Sequence, residues 1–295
     1  MQCTFRDAVD TDIPSINALF RSEYGDGYPY LVTELALGHM HLVAVVEREI
    51  VGFARAAPYG VYADVWELCS LVVMPEFRQH QIARALTIER INRLRMQGVK
   101  TVVSEAVTCY ENCASQKNLQ NFGFKPYGLL PFVHPWIRPE VLGEQPLSLV
   151  LMVASLNGGT GFGSRELFLD PSDRSALELL VPTSDLQPPW ESTARDRDVF
   201  PRRLHGKQVH GLRGSVFVDI PLNQKEATEV RSLLKRKGYR FAAVLPGFGR
   251  DQQHRPFDLL RVYRPPNRSF TFDLVHVTPD LEFLKQYCEQ EFKTF

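Results

Sequence analysis

The sequence predicts a mixed α/β fold, and three observations predict it. Apolar runs of strand length alternate with helical periodicity along the first 155 residues. The clearest helical pattern, Arg78 to Met96, stands between two strand-like runs, Asp64 to Val73 and Val99 to Val107. A Gly-rich break at Asn157 to Ser164 then separates this set from a second, shorter series of strand, helix, strand and strand. The expected division is a first domain over 1–155, a linker over 156–164 and a second, smaller domain over 165–295.

In chain order, Asp12 precedes apolar residues at Ile13, Ile16, Leu19 and Phe20, a helical spacing that tolerates Pro14 in its first turn. The Gly25 to Tyr30 turn ends it, and a short helix is expected over Leu31 to Leu37. His41 to Glu47 and Ile50 to Ala57 read as a hairpin turning at Arg48 and Glu49. The run from Asp64 to Val73 is almost wholly apolar and therefore central. Arg78 to Met96 carries apolar residues at Ile82, Ala85, Leu86, Ile91 and Leu94, with Gly98 placed as its cap. Asn112 to Phe122 is expected as a helix ended by Gly123, followed by strands at Phe124 to Phe132 and Leu147 to Ala154.

Asp185 to Gly214 has little apolar periodicity and reads as a long loop with solvated charges. Beyond it come a strand at Ser215 to Pro221, a helix at Asn223 to Lys237, and strands at Arg240 to Phe248 and Phe257 to Arg264. This series repeats an earlier one. Gly123 and Gly238 stand 115 residues apart, as do the Leu130-Pro131 and Leu245-Pro246 pairs.

Composition narrows the function classes. The 295 residues are 44% hydrophobic, enough for sizeable cores, and the 34 basic residues balance 34 acidic ones. A balanced chain offers no broad nucleic-acid footprint, although a small phosphate site remains open. Five cysteines without paired zinc-finger spacing predict reduced thiols and no metal site. No apolar run reaches membrane-span length, and the charged N-terminal stretch is unlike a signal peptide, so a cytoplasmic protein is expected.

The segment Val73-Met74-Pro75-Glu76-Phe77-Arg78, followed by Ile82, Ala83 and Leu86, resembles the cofactor-binding core of the GNAT acyltransferases. That family's pattern is a strand ending in Val-x-Pro, then Glu-Tyr/Phe-Arg-Gly-x-Gly-Ile-Gly/Ala-x-x-Leu entering a helix. Asn112, Ser115 and the Gly123-Phe124 pair extend the likeness over about the first 155 residues. The chain departs at the two glycines of the loop, which are Gln79 and Gln81.

The resemblance implies a GNAT fold and transfer of an acetyl or other short acyl group from CoA to a primary amine, on a small molecule or a protein terminus. The alternative is a catalytically weak GNAT-like scaffold with a binding or regulatory role. Val72, Val73, Arg78, Gln79, His80, Gln81, Ile82, Ala83, Arg84, Asn112 and Ser115 would hold the acyl-CoA. A loop turning into a helix exposes unpaired N–H groups and a positive dipole end, and arginines reinforce that field for a pyrophosphate. Glu67, on the strand before this loop, is the candidate base, since partial burial raises a carboxylate into a useful range. Similar enzymes carry a tyrosine acid where this chain has Leu119, so no acid is named, although Tyr110 lies nearby in sequence. Tyr28 and Tyr30, in a Gly-punctuated turn, and Glu105 are candidates for acceptor contact. The likeness further implies a tandem form whose C-terminal half is a degenerate GNAT-like unit without a CoA loop, covering the acceptor site or forming a homodimer.

Overall fold

A computed structural model describes residues 2–60, 62, 64–134, 138–157, 167–178, 180, 208–212, 215–251, 253–265 and 271–293. Its strands join into one 11-stranded sheet of order β1-β2-β3-β4-β5-β7-β6-β10-β11-β9-β8. A central position demands apolar residues on both faces. This is why β4 (Val65–Val73), β5 (Thr101–Val107), β6 (Lys125–His134) and β7 (Leu147–Ser155) read as near-continuous apolar runs. The hairpin of β2 (Met40–Val46) and β3 (Glu49–Pro58) sits beside β4, and a strand that the sequence pattern did not reveal, β1 (Cys3–Asp7), adds to its outer edge. Among the described residues, β4 and β5 are the only parallel neighbours.

The alternation along β2 sends Leu42 and Ala44 to one face and Val43 to the other, so helices cover both sides. Helix α1 (Ile13–Tyr24) buries Ile16, Leu19 and Phe20 against Val43, Phe53 and Val72. Helix α2 (Ile82–Met96) buries Ile82, Leu86, Ile91 and Leu94 on the opposite face, the one also covered by α3 (Ala114–Gln120). Gly98 ends α2 with a φ of 77°, a conformation glycine adopts without strain. Two one-turn helices, α4 (Pro139–Leu142) and α5 (Arg174–Leu177), follow, and none of the described helices is long and apolar enough to cross a membrane.

Three local expectations are corrected. Residues 31–37 form no helix. The Asn17 side chain accepts from the Val32 N–H and donates to its carbonyl, both at 2.8 Å, which commits that backbone to a non-helical path. Helix α2 starts at Ile82, four residues later than expected, because Gln81 is left-handed. The loop expected over 185–214 ends in a strand, β8 (Gln208–Leu212), while its residues up to 207 and the linker positions 158–164 lie outside the described residues.

In the C-terminal half, β9 (Ser215–Pro221), α6 (Ala227–Arg236), β10 (Arg240–Arg250) and β11 (Pro256–Arg264) follow the order of β5, α3, β6 and β7. The pairing matches too: β5-β7-β6 on one side of the sheet is mirrored by β10-β11-β9 on the other. The halves meet where β6 runs antiparallel to β10, with Ala243 opposite Gly128. These two positions are again 115 residues apart. A side chain at Gly128 would put its Cβ 2.3 Å from the Ala243 Cβ and 2.4 Å from the Ala242 carbonyl oxygen, so the strands approach this closely only over glycine. Helix α7 (Glu282–Lys293) packs against β6 and β10 and straps the seam.

Candidate functional site

The parallel ladder between β4 and β5 is short. It pairs Val65 to Glu67 with Thr101 to Val103 and then stops. Beyond it, the Ser104 hydroxyl donates to the Leu68 carbonyl at 2.7 Å, so a side chain replaces the next backbone bond. On its other edge β4 stays paired with β3, but the register slips by one residue around Ser70, whose φ is 54°. Such a bulge bends a strand and turns its carbonyls aside. Arg90 fills the space behind it. Its guanidinium is fully buried and donates to the carbonyls of Arg55 (2.9 Å), Cys69 (3.3 Å) and Leu86 (3.2 Å), and burial pulls its pKa down to about 10. The sequence held a signal for this residue: Leu86, Arg90 and Leu94 lie on one helical stripe, an arginine among core positions.

From the end of β4 the chain makes a 3-10 turn at Pro75–Phe77, and then Gln79 and Gln81 take φ values of 66° and 62°. Gln81 is left-handed and Ile82 opens α2; the first helical bond runs from Ala85 N–H to the Gln81 carbonyl. The N–H groups of Ile82, Ala83 and Arg84 thus precede the helical ladder, in the left-then-right-handed succession that makes an anion-binding concavity. Ile82 is buried, whereas Arg78, Gln79, His80, Gln81 and Arg84 are exposed. These residues fit a pyrophosphate in backbone geometry. Glycine would hold the two left-handed positions without the roughly 1–2 kcal/mol that a side chain costs there, offset by its greater freedom in the unfolded chain. Gln79→Gly and Gln81→Gly are each expected to stabilise the protein by up to about 1 kcal/mol, read from urea midpoints, while Gln→Ala at the same sites gives no gain.

The side chains around this loop are partly engaged. The Arg78 guanidinium donates to the Val73 carbonyl at 3.2 Å and is ion-paired with Glu23 at the end of α1, rather than reaching over the loop. Glu23 also accepts from the Tyr110 hydroxyl and lies 3.5 Å from Arg138. It therefore ties the β4 side of the split to the segment after β5. Sequence reasoning passed over Glu23 and Arg138 because nothing in their local pattern distinguishes them from surface charges. The Asn112 side chain caps Ala114 N–H at 3.1 Å, Ser115 follows in the first turn of α3, and Asn118 donates to Thr87 at 3.1 Å, which sets α3 beside the first turns of α2. Val72 packs under α1 and Val73 under α2.

Glu67 stands where the ladder ends. Its side chain keeps partial solvent contact on the α1 face, yet dense neighbours surround the carboxyl group. Burial, reinforced by the facing Glu105 and opposed by Arg55, pushes its pKa up to about 8. Register places Glu67 opposite Val103, so Glu105 is the next residue of β5 on the same face. Glu105 accepts a hydrogen bond from the Tyr59 hydroxyl at 2.9 Å. Tyr28 stacks between Phe20 and Tyr24, with ring centroids at 5.2 and 4.8 Å, and Tyr30 meets Tyr28 edge-on at 5.8 Å. The structure thus gathers Glu67, Glu105 and Tyr28 on one face, with the left-handed loop at the far end of the same strand. Among the described residues no group of three or more His, Cys, Asp or Glu side chains could hold a metal ion.

Residues 13–124 match the Acetyltransferase (GNAT) family. No curated protein matches the chain. Among solved structures, an N-acetyltransferase from Staphylococcus aureus Mu50 is 20% identical, with 53% of this chain and 100% of that chain covered and a TM-score of 0.45. The ribosomal-protein-S18-alanine N-acetyltransferase of Escherichia coli is 16% identical over 55% of this chain and 99% of its own, with a TM-score of 0.45. A GNAT superfamily phosphinothricin acetyltransferase from Sinorhizobium meliloti, in complex with AcCoA, is 22% identical over 54% and 91%, again with a TM-score of 0.45. Over residues 13–124 this chain is thus similar to the GNAT acetyltransferase family.

Proposed function

We propose that the protein transfers an acetyl or other short acyl group from CoA to a primary amine, with Glu67 as the base. The observation that carries this reading is a single carboxylate brought to about 8 at the point where β4 and β5 part, on the strand that runs into the left-handed loop. A base of that strength takes a proton from an ammonium group near neutral pH. Acetyl-CoA supplies the thioester carbonyl and a thiolate leaving group. Glu67 removes the ammonium proton, the amine nitrogen bonds to the carbonyl carbon, the carbon–sulfur bond breaks, and the second proton released by the nitrogen passes through water to the departing thiolate. The N–H groups at the start of α2, with Arg84 and a released Arg78, hold the pyrophosphate. The free edge of β4 beyond Glu67 takes the pantetheine arm as an added strand would.

The C-terminal half, in this reading, is a degenerate second copy that binds no CoA. Its element order, its mirrored strand pairing and the seam at equivalent positions support a duplication. The turn into α6, residues 222–226, carries no left-handed residue comparable to Gln79 and Gln81.

Isothermal titration with acetyl-CoA and with CoA tests the cofactor site. Micromolar affinity, weakened about tenfold or more by replacing Arg78 and Arg84 with Ala, is the expected result. The screen of amines then follows with Glu67→Gln as control. No heat with either ligand at millimolar concentration replaces the enzyme by a GNAT-shaped scaffold.

A further inference from the structure

A buried chain of polar groups crosses from the C-terminal half to the carboxylates of the first domain. Arg261 on β11 is 2% exposed and forks onto Asp219 of β9, Nε to Oδ1 at 2.9 Å and Nη2 to Oδ2 at 3.0 Å. Asp219 is itself wholly buried. The same guanidinium reaches over the junction: Nη1 donates to the Tyr59 hydroxyl at 2.7 Å and Nη2 to the Tyr62 hydroxyl at 3.0 Å. Tyr62 in turn donates to Asp219, and Tyr59 passes its own proton donation to Glu105 at 2.9 Å. Phe248 of β10 closes the cluster edge-on, with centroids at 6.0 Å from Tyr59 and 5.3 Å from Tyr62.

We propose that Arg261, supplied by the C-terminal half, is a positioning residue for acyl transfer: through the Tyr59 hydroxyl it holds Glu105 beside Glu67 and so sets the protonation of the base. The inference rests on the reading of Glu67 as base, and it gives the second half a part in the chemistry without a ligand of its own. Tyr59 has a hydroxyl with one proton to give. With a cation donating to its oxygen, that proton is directed to Glu105. A carboxylate that accepts such a bond is held in place and stays directed toward its neighbour. The groups facing Glu67 from the packed elements are Arg55 and Cys69 across the β3–β4 pair, Glu105 on β5, and Tyr59 with Arg261 behind it. Tyr28 faces Arg55 and Cys69. The carboxylate closest in register is Glu105, and the burial of Glu67 makes its charge felt.

The test is the titration of Glu67 in full-length protein labelled with ¹³C at the glutamate carboxyl, its signal identified by its loss in Glu67→Gln. Tyr59→Phe keeps the ring and removes the hydroxyl. The expected result is a Glu67 midpoint lower by about one pH unit than in the wild-type protein. The double change Asp219→Asn with Arg261→Met removes one charge of each sign together, avoids a stranded buried carboxylate, and is expected to shift the midpoint in the same sense. An unchanged midpoint in folded Tyr59→Phe overturns the proposal. This readout needs neither CoA nor acceptor, so a missing cofactor site and a missing relay are told apart. With an amine from the screen, kcat of Tyr59→Phe falls about tenfold, KM for the amine stays nearly constant, and the acidic limb of the rate profile moves to lower pH. A limb that stays in place reduces the network to a structural one and likewise overturns the proposal.

Discussion

At pH 8 a Glu67→Gln variant is expected to melt several degrees above the wild-type protein while transferring acyl groups about 10²–10⁴-fold more slowly. Both effects have one cause. The fold raises Glu67 from an ordinary 4.5 to about 8 by burial and by the facing Glu105. Between those values the folded protein holds a proton that the unfolded chain has released, so this carboxyl group costs stability as pH rises through the window. A shift of one unit is about 1.4 kcal/mol; with the solvent contact that Glu67 retains, a gain of roughly 2 kcal/mol at pH 8 is expected for the neutral amide. The gain should fade toward pH 4.5, where Glu67 is protonated in both states. Thermal melts at pH 5 and pH 8 check the sign, and a gain equal at both would mean that Glu67 is not perturbed by the fold. In the same window the wild-type rate should climb with pH up to about 8 as the base ionises.

The second large effect lies in the C-terminal half. Arg231 on α6 is 1% exposed, and it pairs with Asp173 at 2.6 Å and Glu291 at 2.8 Å, which are 0% and 5% exposed. The Tyr287 hydroxyl donates to Asp173 at 2.7 Å, Lys235 binds the other Glu291 oxygen at 2.6 Å, and the Phe241 N–H donates to Glu291 at 3.2 Å. Burial alone would raise the Glu291 pKa, but Arg231, Lys235 and Phe241 together bring it below its usual 4.5. Arg231→Met takes from Asp173 its cation, leaves Glu291 with Lys235 alone, and is expected to cost about 3–5 kcal/mol, read from denaturant midpoints. Replacing Asp173 and Glu291 by Leu and Met in the same chain should recover most of it, because the desolvation penalty leaves with the charges. The contribution of Glu291 is present above 4.5 and lost as pH falls through its lowered value, so wild-type and Arg231→Met stabilities should converge in acid.

The sheet of the first half was legible because strand and helix leave different periods in the sequence, and the two periods alternate cleanly from Met40 to Ser155. β1 was not, since Cys3–Asp7 adds only an outer edge and needs no buried face of its own. The segment 31–37 misled because its leucines have helical spacing, while one asparagine on α1 decides its path. In the site, Glu67 and the loop of residues 78–84 could be read from motif and position. Their engagement could not: the partner of Arg78 is 55 residues away, and that of Tyr59 is 202. Sequence spacing carries no information about such pairs, which are set by how the sheet continues past β6. The left-handed turns of Gln79 and Gln81 were equally hidden, because glutamine gives no sign of the backbone that glycine would have announced.

The seam between β6 and β10 has a meaning for solubility as well as for shape. An unpaired strand edge is a template for other chains, and the danger grows with length and apolar character. β6 and β10 are 10 and 11 residues long, with six and ten of their residues buried. Separated, each would offer such a template; joined over Gly128, each serves as the cap of the other. The outermost strand on the first half's side is then β1, five residues with four exposed, carrying Arg6 and Asp7. Short, charged edges of that kind discourage further strand addition, and so the molecule keeps its most adhesive edges turned on itself.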